Sequence, residues 1–348
     1  MVIGAGSFGT AMALLLARAG LRTTLQARTA EKAREIDRAR ENREYLPGAA
    51  LPPELKVEGP GSGVERADIV FLAVPAHSLG QAAETLAATG SLPASASVVT
   101  LAKGLVPPFG ETPTTVLGGA FGRERVAVIG GPAHASELVR AGGALVAASE
   151  NPELAAALAR IFTSGGVICE ISGDPAGVEL AGAAKNAAAL ASGATVGQGL
   201  NAAGAAAGHI FQEVWRLAEA RGAQPDAMIG LAGTGDLVAT ALAPSSRNRM
   251  AGELLAEGVP AGEIPTRIGQ AVEALDSVPL LARALEDAGV EAPVTGGLAA
   301  LVSGELALDG WVALVRTTVP PRGPLRLGVR PGFWARLRAR LARGFRRP

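Results

Sequence analysis

Residues 2–20 read VIGAGSFGTAMALLLARAG. A short apolar run is followed by glycines at 4, 6 and 9, and then by an alanine- and leucine-rich stretch with helical character. No other segment restricts the fold as strongly. In a strand–turn–helix context each glycine of G-x-G-x-x-G has its own task. Gly4 makes the tight turn, Gly6 lets an anionic group approach the backbone, and Gly9 lets the helix pack on the strand. The N–H groups and dipole of the helix then favour negative charge. The segment therefore predicts a dinucleotide pyrophosphate site opening a βαβ unit.

The rest of the first half agrees with such a unit. Segments 2–4, 21–27, 68–74, 97–102, 125–131 and 142–149 read as strands, with helix-like stretches such as 8–19 and 78–89 between them. Alternation of this kind predicts a parallel, doubly wound sheet, an α/β domain of the Rossmann type. After about residue 172 the β signals stop. Helical patterns follow at 175–192, 205–222, 248–257, 268–288 and 294–304, predicting an all-α second domain. The expected organisation is a cofactor-binding domain over 1–172, a helical substrate domain over 173–317, and a Pro/Arg-rich linker with a basic tail over 318–348.

The chain is 48% hydrophobic with no formal net charge, which supports a sizeable core and argues against a nucleic-acid binder. The balance is uneven. Residues 330–348 carry seven arginines and no acid, leaving 25 basic against 32 acidic residues elsewhere. The single cysteine, Cys169, fits a reducing compartment, and the expected setting is cytoplasmic. The apolar MALLLARAG segment has no basic residue ahead of it and shares its start with the glycine turn, so a signal peptide is not expected. No metal site is read from the sequence.

The end of the second predicted strand selects the nicotinamide cofactor. An acid there suits the ribose hydroxyls of NADH. This chain has Gln26, Ala27 and Arg28, and an arginine suits a 2′-phosphate, so NADPH is favoured over NADH.

Only four of the 32 basic residues that are Lys or Arg are lysines: Lys32, Lys56, Lys103 and Lys185. Lys103 follows a β run, at the carboxyl end of a strand where ligands bind in such sheets. Lys185 lies in AGAAKNAAALASGATVG, on a helix that Asp174 and Pro175 would start. The small residues around it are expected to leave room for a ligand and to desolvate the amine, lowering its pKa toward a range useful for proton transfer. Arginine does not give up its proton in this way. Asp236, after a glycine-rich turn, is expected to orient that lysine and to act as a helix N-cap, with Thr240 one turn on. SSRNR (245–249) offers hydroxyls, a guanidinium and an amide suited to a phosphate monoester.

In order and spacing, VIGAGSFGTAMA, AKGL, GGPAHASE, GVELAGAAKN, GLAGTGDLVAT, SSRNR and IGQAVEA resemble the bacterial NAD(P)-dependent glycerol-3-phosphate dehydrogenase family, from residue 2 to about 317. The resemblance implies reduction of dihydroxyacetone phosphate to glycerol 3-phosphate for phospholipid synthesis. It also implies a small phosphorylated triose as substrate and a homodimer. It casts Lys185 as proton donor and acceptor at the substrate C2 oxygen, with Asn186 and Asp236 beside it, and Lys103 as a second cation on the substrate. Ser246, Arg247 and Asn248 become glycerol-phosphate contacts, with Arg247 also near the cofactor. Ser7, Phe8, Arg28, Lys103, Ala135, Ala271 and Glu273 match cofactor positions, and Gly131, Ala133 and Thr240 substrate positions.

Two segments depart from the family pattern. GPAHASE has Ala133 where a hydroxyl is usual and His134 where an aromatic is usual, and His134 is read as an exposed loop residue in preference to a new polar contact. NAAGAAAGHIFQE (201–213) lacks two customary basic residues. These differences keep open a related NADPH-dependent reductase of another small keto substrate, and a catalytically silent dinucleotide-binding paralogue. In the tail, Phe333 or Trp334, Leu337, Leu341 and Phe345 recur near helical spacing among arginines, a pattern for peripheral contact of 330–348 with an anionic membrane.

Overall fold

A computed structural model describes residues 1–61, 63–243 and 246–318. The first half alternates strands and helices: β1 (Val2–Ile3), α1 (Ser7–Arg18), β2 (Thr24–Gln26), α2 (Ala30–Ala39), β3 (Lys56–Glu58), β4 (Ile69–Leu72), α3 (Ala76–Ala88), β5 (Ser97–Thr100), α4 (Pro113–Phe121), β6 (Val126–Gly130), α5 (Ala135–Ala141), β7 (Ala144–Ala148), α6 (Pro152–Ser164) and β8 (Ile168–Ser172). Their order across one sheet is β3-β2-β1-β4-β5-β6-β7-β8. The chain winds outward from β1 through β2 to β3 and resumes on the other side of β1 at β4. The carboxyl ends of β1 and β4 therefore flank a topological switch point, where such sheets bind ligands.

The sheet corrects three expectations. It is not wholly parallel, because β6 and β7 are antiparallel. The connection between them holds only the seven-residue α5, about 10 Å long. With residues 131–143 in all, the connection sits at the lower limit for a parallel crossover, and the chain returns in the opposite direction. Strands β3 and β8 are additional to those expected. Both are edge strands with no fully buried side chain (KVE and ICEIS), so neither has the apolar run that marks a buried strand.

The second half contains α7 (Pro175–Thr195), α8 (Leu200–Ala220), α9 (Pro225–Ile229), α10 (Asp236–Leu242), α11 (Arg247–Ala256), α12 (Ile264–Ile268), α13 (Glu273–Asp287), α14 (Pro293–Ser303) and α15 (Leu308–Thr317). The expected helix over 268–288 begins only at Glu273, as α13, and Ile268 is the last residue of the separate α12. Gly269 takes a left-handed conformation (φ 76°) that ends α12 before α13 begins. No helix among the described residues is long and apolar enough to cross a membrane.

Helix α7 organises this half. Asp174 starts it by accepting from the Gly177 N–H at 2.8 Å, with Pro175 in the first turn. Its small residues serve close packing. A Cβ at Gly193 would lie 2.0 Å from the Arg249 carbonyl oxygen, and one at Gly252 would lie 2.0 Å from that of Leu190. Backbones of α7 and α11 thus meet almost directly. Helix α7 is buried on nearly every side, while Gly182 lines a small cavity with Lys103 and Asp236. Residues 1–317 form one compact unit. Ser245 and residues 319–348, with most of the linker and the whole basic tail, lie outside the described residues.

Candidate active site

The glycine turn has the shape its residues imply. Gly4 (φ 112°) sits where a Cβ would lie 2.4 Å from the Ala73 carbonyl oxygen, and a Cβ at Gly9 would lie 2.0 Å from that of Gly4. Neither position admits a side chain. Gly6 differs, since a Cβ there would meet nothing within 4 Å. It caps α1 without a side-chain bond, leaving first-turn N–H groups directed at an open cradle. That cradle fits a pyrophosphate. Arg28 stands exposed past β2 with no hydrogen bond or salt bridge to any described residue. Ser7 Oγ donates to the Tyr45 carbonyl at 2.6 Å. The sequence reading missed Asn42, which is buried and donates from Nδ2 to the Ala5 carbonyl and to Thr10 Oγ1, each at 2.8 Å. A single asparagine between two arginine-flanked glutamates gives no sign of buttressing a turn some 35 residues earlier.

At the carboxyl ends of β5 and β6 the two singled-out lysines meet. Lys103 Nζ donates to Asp236 Oδ2 at 2.7 Å and to the Gly131 carbonyl at 3.0 Å. Lys185 Nζ lies 3.6 Å from the same Asp236 oxygen. Lys103 Nζ is also 5.7 Å from the centre of the Phe8 ring, so this cluster adjoins the glycine turn. Lys185 and Asp236 are both buried, with side chains 9% and 3% exposed. Desolvation holds the Lys185 amine below the usual lysine range, and the nearby Lys103 charge adds to this, while Asp236 opposes it. Burial alone would raise Asp236, but attraction to Lys103 and Lys185 keeps its carboxyl below the usual range.

Asp236 is not an N-cap, contrary to expectation. Residues Leu231–Gly235 form a π-helical turn and Gly235 takes the capping position, so the Asp236 carboxylate is released toward the lysines. Such π-turns often mark functional sites. Thr240 Oγ1 donates to the other Asp236 oxygen at 3.4 Å.

A second chain of amides joins this cluster. Asn186 Nδ2 donates to the Lys103 carbonyl at 2.7 Å and to Glu273 Oε2 at 3.1 Å, and its Oδ1 accepts from Asn248 Nδ2 at 2.8 Å. Asn248 Oδ1 in turn accepts from the Ala274 N–H at 3.2 Å. Arg247 Nη1 donates to the Ala271 carbonyl at 3.0 Å. Ser246 is buried as the N-cap of α11, its hydroxyl accepting from the Arg249 N–H. Residues from α7, α11, α13 and the β5–α4 loop are thus drawn together.

The loop after β6 holds the remaining candidates. Gly131 (φ 102°) directs its carbonyl at Lys103. Ala133 and Ala135 are partly buried against the apolar core beneath α1. His134 corrects the reading of an exposed histidine. It is half-buried, desolvation holds its pKa below the ordinary value, and it lies within electrostatic range of Asp236, Lys185 and Lys103. The sequence reading also missed Glu179, buried six residues before Lys185 on α7. Its spacing of seven from Asn186, two helical turns, was the available signal.

Two ammonium groups and one carboxylate, largely screened from water, can polarise a carbonyl and exchange a proton with its oxygen. Two family models match the chain. The N-terminus of NAD-dependent glycerol-3-phosphate dehydrogenase matches residues 1–155, and its C-terminus matches residues 174–313. A glycerol-3-phosphate dehydrogenase [NAD(P)+] from Deinococcus radiodurans is 41% identical over 311 residues, 87% of this chain and 90% of that protein. Its namesake from Caulobacter vibrioides is 36% identical, covering 90% and 95%. The crystal structure of a glycerol-3-phosphate dehydrogenase from Coxiella burnetii superposes with a TM-score of 0.83 at 28% identity, covering 91% of this chain and 98% of that one.

Proposed function

The chain belongs to the NAD-dependent glycerol-3-phosphate dehydrogenase family, and from that membership we propose how its own residues carry the reaction. It reduces dihydroxyacetone phosphate reversibly to sn-glycerol 3-phosphate, using NADH or NADPH, and so supplies glycerophospholipid synthesis. The bound nicotinamide supplies the hydride.

In our reading, Lys185 gives its proton to the substrate C2 oxygen as that oxygen gains negative charge. Asp236 holds the ammonium in place and, with Asn186, fixes the groups around it. Lys103 adds a second positive charge to stabilise the developing oxyanion. In the oxidative direction Lys185 takes the proton back, which its lowered pKa favours. The observation that carries this reading is the shared Asp236 oxygen, 2.7 Å from one lysine and 3.6 Å from the other. Ser246, Arg247 and Asn248 at the start of α11 would take the phosphate, with Gly131, Ala133 and Thr240 lining the substrate. Gly4, Gly6, Ser7, Phe8, Gly9, Arg28, Ala135, Arg247, Ala271 and Glu273 would hold the cofactor. Arg28, exposed and without an ion pair among the described residues, supports a preference for NADPH through the 2′-phosphate.

We divide the chain into a cofactor half over 1–172 and a substrate half over 173–317, since every strand among the described residues ends by Ser172. A homodimer is supported by the exposed edge strand β8, with Ile168 and Ile171 68% and 57% exposed. A cytoplasmic setting is supported by the single cysteine. Peripheral membrane contact through residues 330–348 rests on their basic, amphipathic sequence. Liposome sedimentation with and without residues 330–348 tests it, and equal binding to anionic lipid would end the idea.

The test of the reaction is NADPH and NADH oxidation with dihydroxyacetone phosphate, wild type beside Lys185→Ala. Turnover in the wild type that is lost in the variant supports the assignment. Turnover with a different 2-keto substrate but none with the triose phosphate would favour the alternative reductase, to which Ala133 and His134 direct attention.

A further inference from the structure

The connection from β5 to α4 carries Lys103 and runs over one face of α7. Three residues on that face, Glu179, Gly182 and Asn186, are spaced so that they stack along the helix. Asn186 holds the near end of the connection by donating to the Lys103 carbonyl at 2.7 Å. Gly182 faces the same connection, and a Cβ there would lie 3.6 Å from the Lys103 Cβ, in ordinary contact. Glu179 holds the far end. One carboxylate oxygen accepts from the Thr114 N–H at 2.7 Å, and the other is 2.6 Å from Thr114 Oγ1. Thr114 lies in the first turn of α4, where N–H groups lack partners within the helix. Glu179 is 2% exposed and lines one small cavity with Ala102, Lys103, Gly182 and Asp236. It makes no bond to either lysine or to Asp236.

We propose that Glu179 is a positioning residue for the reaction: by tying the start of α4 to α7, it fixes the loop that aims Lys103 at Asp236 and the substrate. Burying a carboxyl group carries a desolvation cost, which the two Thr114 bonds offset only in part. A shorter apolar residue would fill the core without that cost but could not hold the loop. Glu179 thus couples the sheet half, which bears Lys103, to the helix that bears Lys185. The separation of the two ammonium groups depends on this tie.

The inference rests on the reading of Lys103 as part of the catalytic machinery, and a double-mutant cycle separates the two. Steady-state kinetics with dihydroxyacetone phosphate and NADPH would be measured for wild type, Glu179→Ala, Lys103→Ala and the double variant. Glu179→Ala is expected to lower kcat/KM by about 10-fold, in the range of a modest misplacement of a reacting group. In the Lys103→Ala background the same change should cost less than about 2-fold, because the group it positions is gone. Glu179→Gln keeps an acceptor for the Thr114 N–H and a partner for its hydroxyl, and should restore kcat/KM to within about 2-fold of wild type.

Should Glu179→Ala fail to fold, Thr114→Val replaces it in the cycle. It removes the hydroxyl partner from the other side and should lower kcat/KM only when Lys103 is present. Equal losses in both backgrounds, or a glutamine variant as impaired as the alanine, would overturn the inference about Glu179. A Lys103→Ala enzyme with wild-type turnover would instead overturn the underlying reading of Lys103.

Discussion

Asp236→Asn keeps the shape of the side chain and removes the one negative charge that both active-site lysines share. At an effective dielectric of about 20, unit charges at the observed separations of 2.7 and 3.6 Å attract by roughly 6 and 5 kcal/mol. The full sum is not lost, because a lysine can respond by releasing its proton. Removing one partner of a buried pair typically costs about 3–5 kcal/mol. If about 3–4 kcal/mol of that falls on the transition state, kcat/KM for reduction drops by about 10²–10³-fold. The pH dependence is the sharper readout. Asp236 is the largest influence raising the Lys185 pKa, so without it that pKa falls further below the usual lysine range. Reduction needs the protonated amine, and its rate declines as pH rises through that pKa. The alkaline limb of the kcat profile should therefore move to lower pH in Asp236→Asn. Following NADPH oxidation across about pH 6 to 10 would show it. An alkaline limb that stays in place, with kcat/KM within about 3-fold of wild type, would refute the view that Asp236 sets the charge state of the lysine.

Gly9→Ala puts a methyl group 2.0 Å from the Gly4 carbonyl oxygen, so α1 must move; NADPH binding by fluorescence titration should weaken by at least about 10-fold, and an unchanged affinity would contradict the turn geometry. Burial pushes Glu179 up to about 8, with Asp174 the nearby charge adding to the effect. Because the folded state then holds a proton that the unfolded state releases above about 4.5, Glu179 makes wild-type stability fall as pH rises from about 4.5 to about 8, by at most about 1.4 kcal/mol per pH unit. Glu179→Gln should remove that dependence, so denaturation midpoints that track wild type at every pH would count against it. His134 is held below its ordinary pKa and is neutral near pH 7. Acidification places a third cation beside Lys103 and Lys185, so the KM for dihydroxyacetone phosphate should fall more on acidification in wild type than in His134→Phe; superimposable profiles would remove His134 from the site.

Much of the fold and of the site is legible in the sequence, for identifiable reasons. The glycine turn declares itself because no other residue tolerates Gly4 and Gly9, and its flanks show the strand and helix it joins. Lys103 and Lys185 stood out because lysine is scarce in a chain that otherwise uses arginine, and their meeting at Asp236 required only that a strand end face a helix. What escaped the sequence involves either edges or long-range partners. Strands β3 and β8 lie at sheet edges, where burial leaves little pattern. The antiparallel turn into β7 depends on the length of α5, which apolar periodicity does not define. Small residues on α7 read equally as room for a ligand or for another helix, and only the approach of α11 decides between them. Asn42, Glu179 and His134 act on partners dozens of residues away, and a single polar side chain carries no mark of such a partner.

The central claim is that Lys185 moves a proton and does not merely supply charge. Lys185→Arg separates the two, since arginine keeps the cation but does not release its proton. Measured on one preparation, NADPH affinity should match wild type while turnover of dihydroxyacetone phosphate is lost. Turnover near the wild-type rate in Lys185→Arg would contradict the assignment and leave Lys185 an electrostatic partner of Asp236 alone.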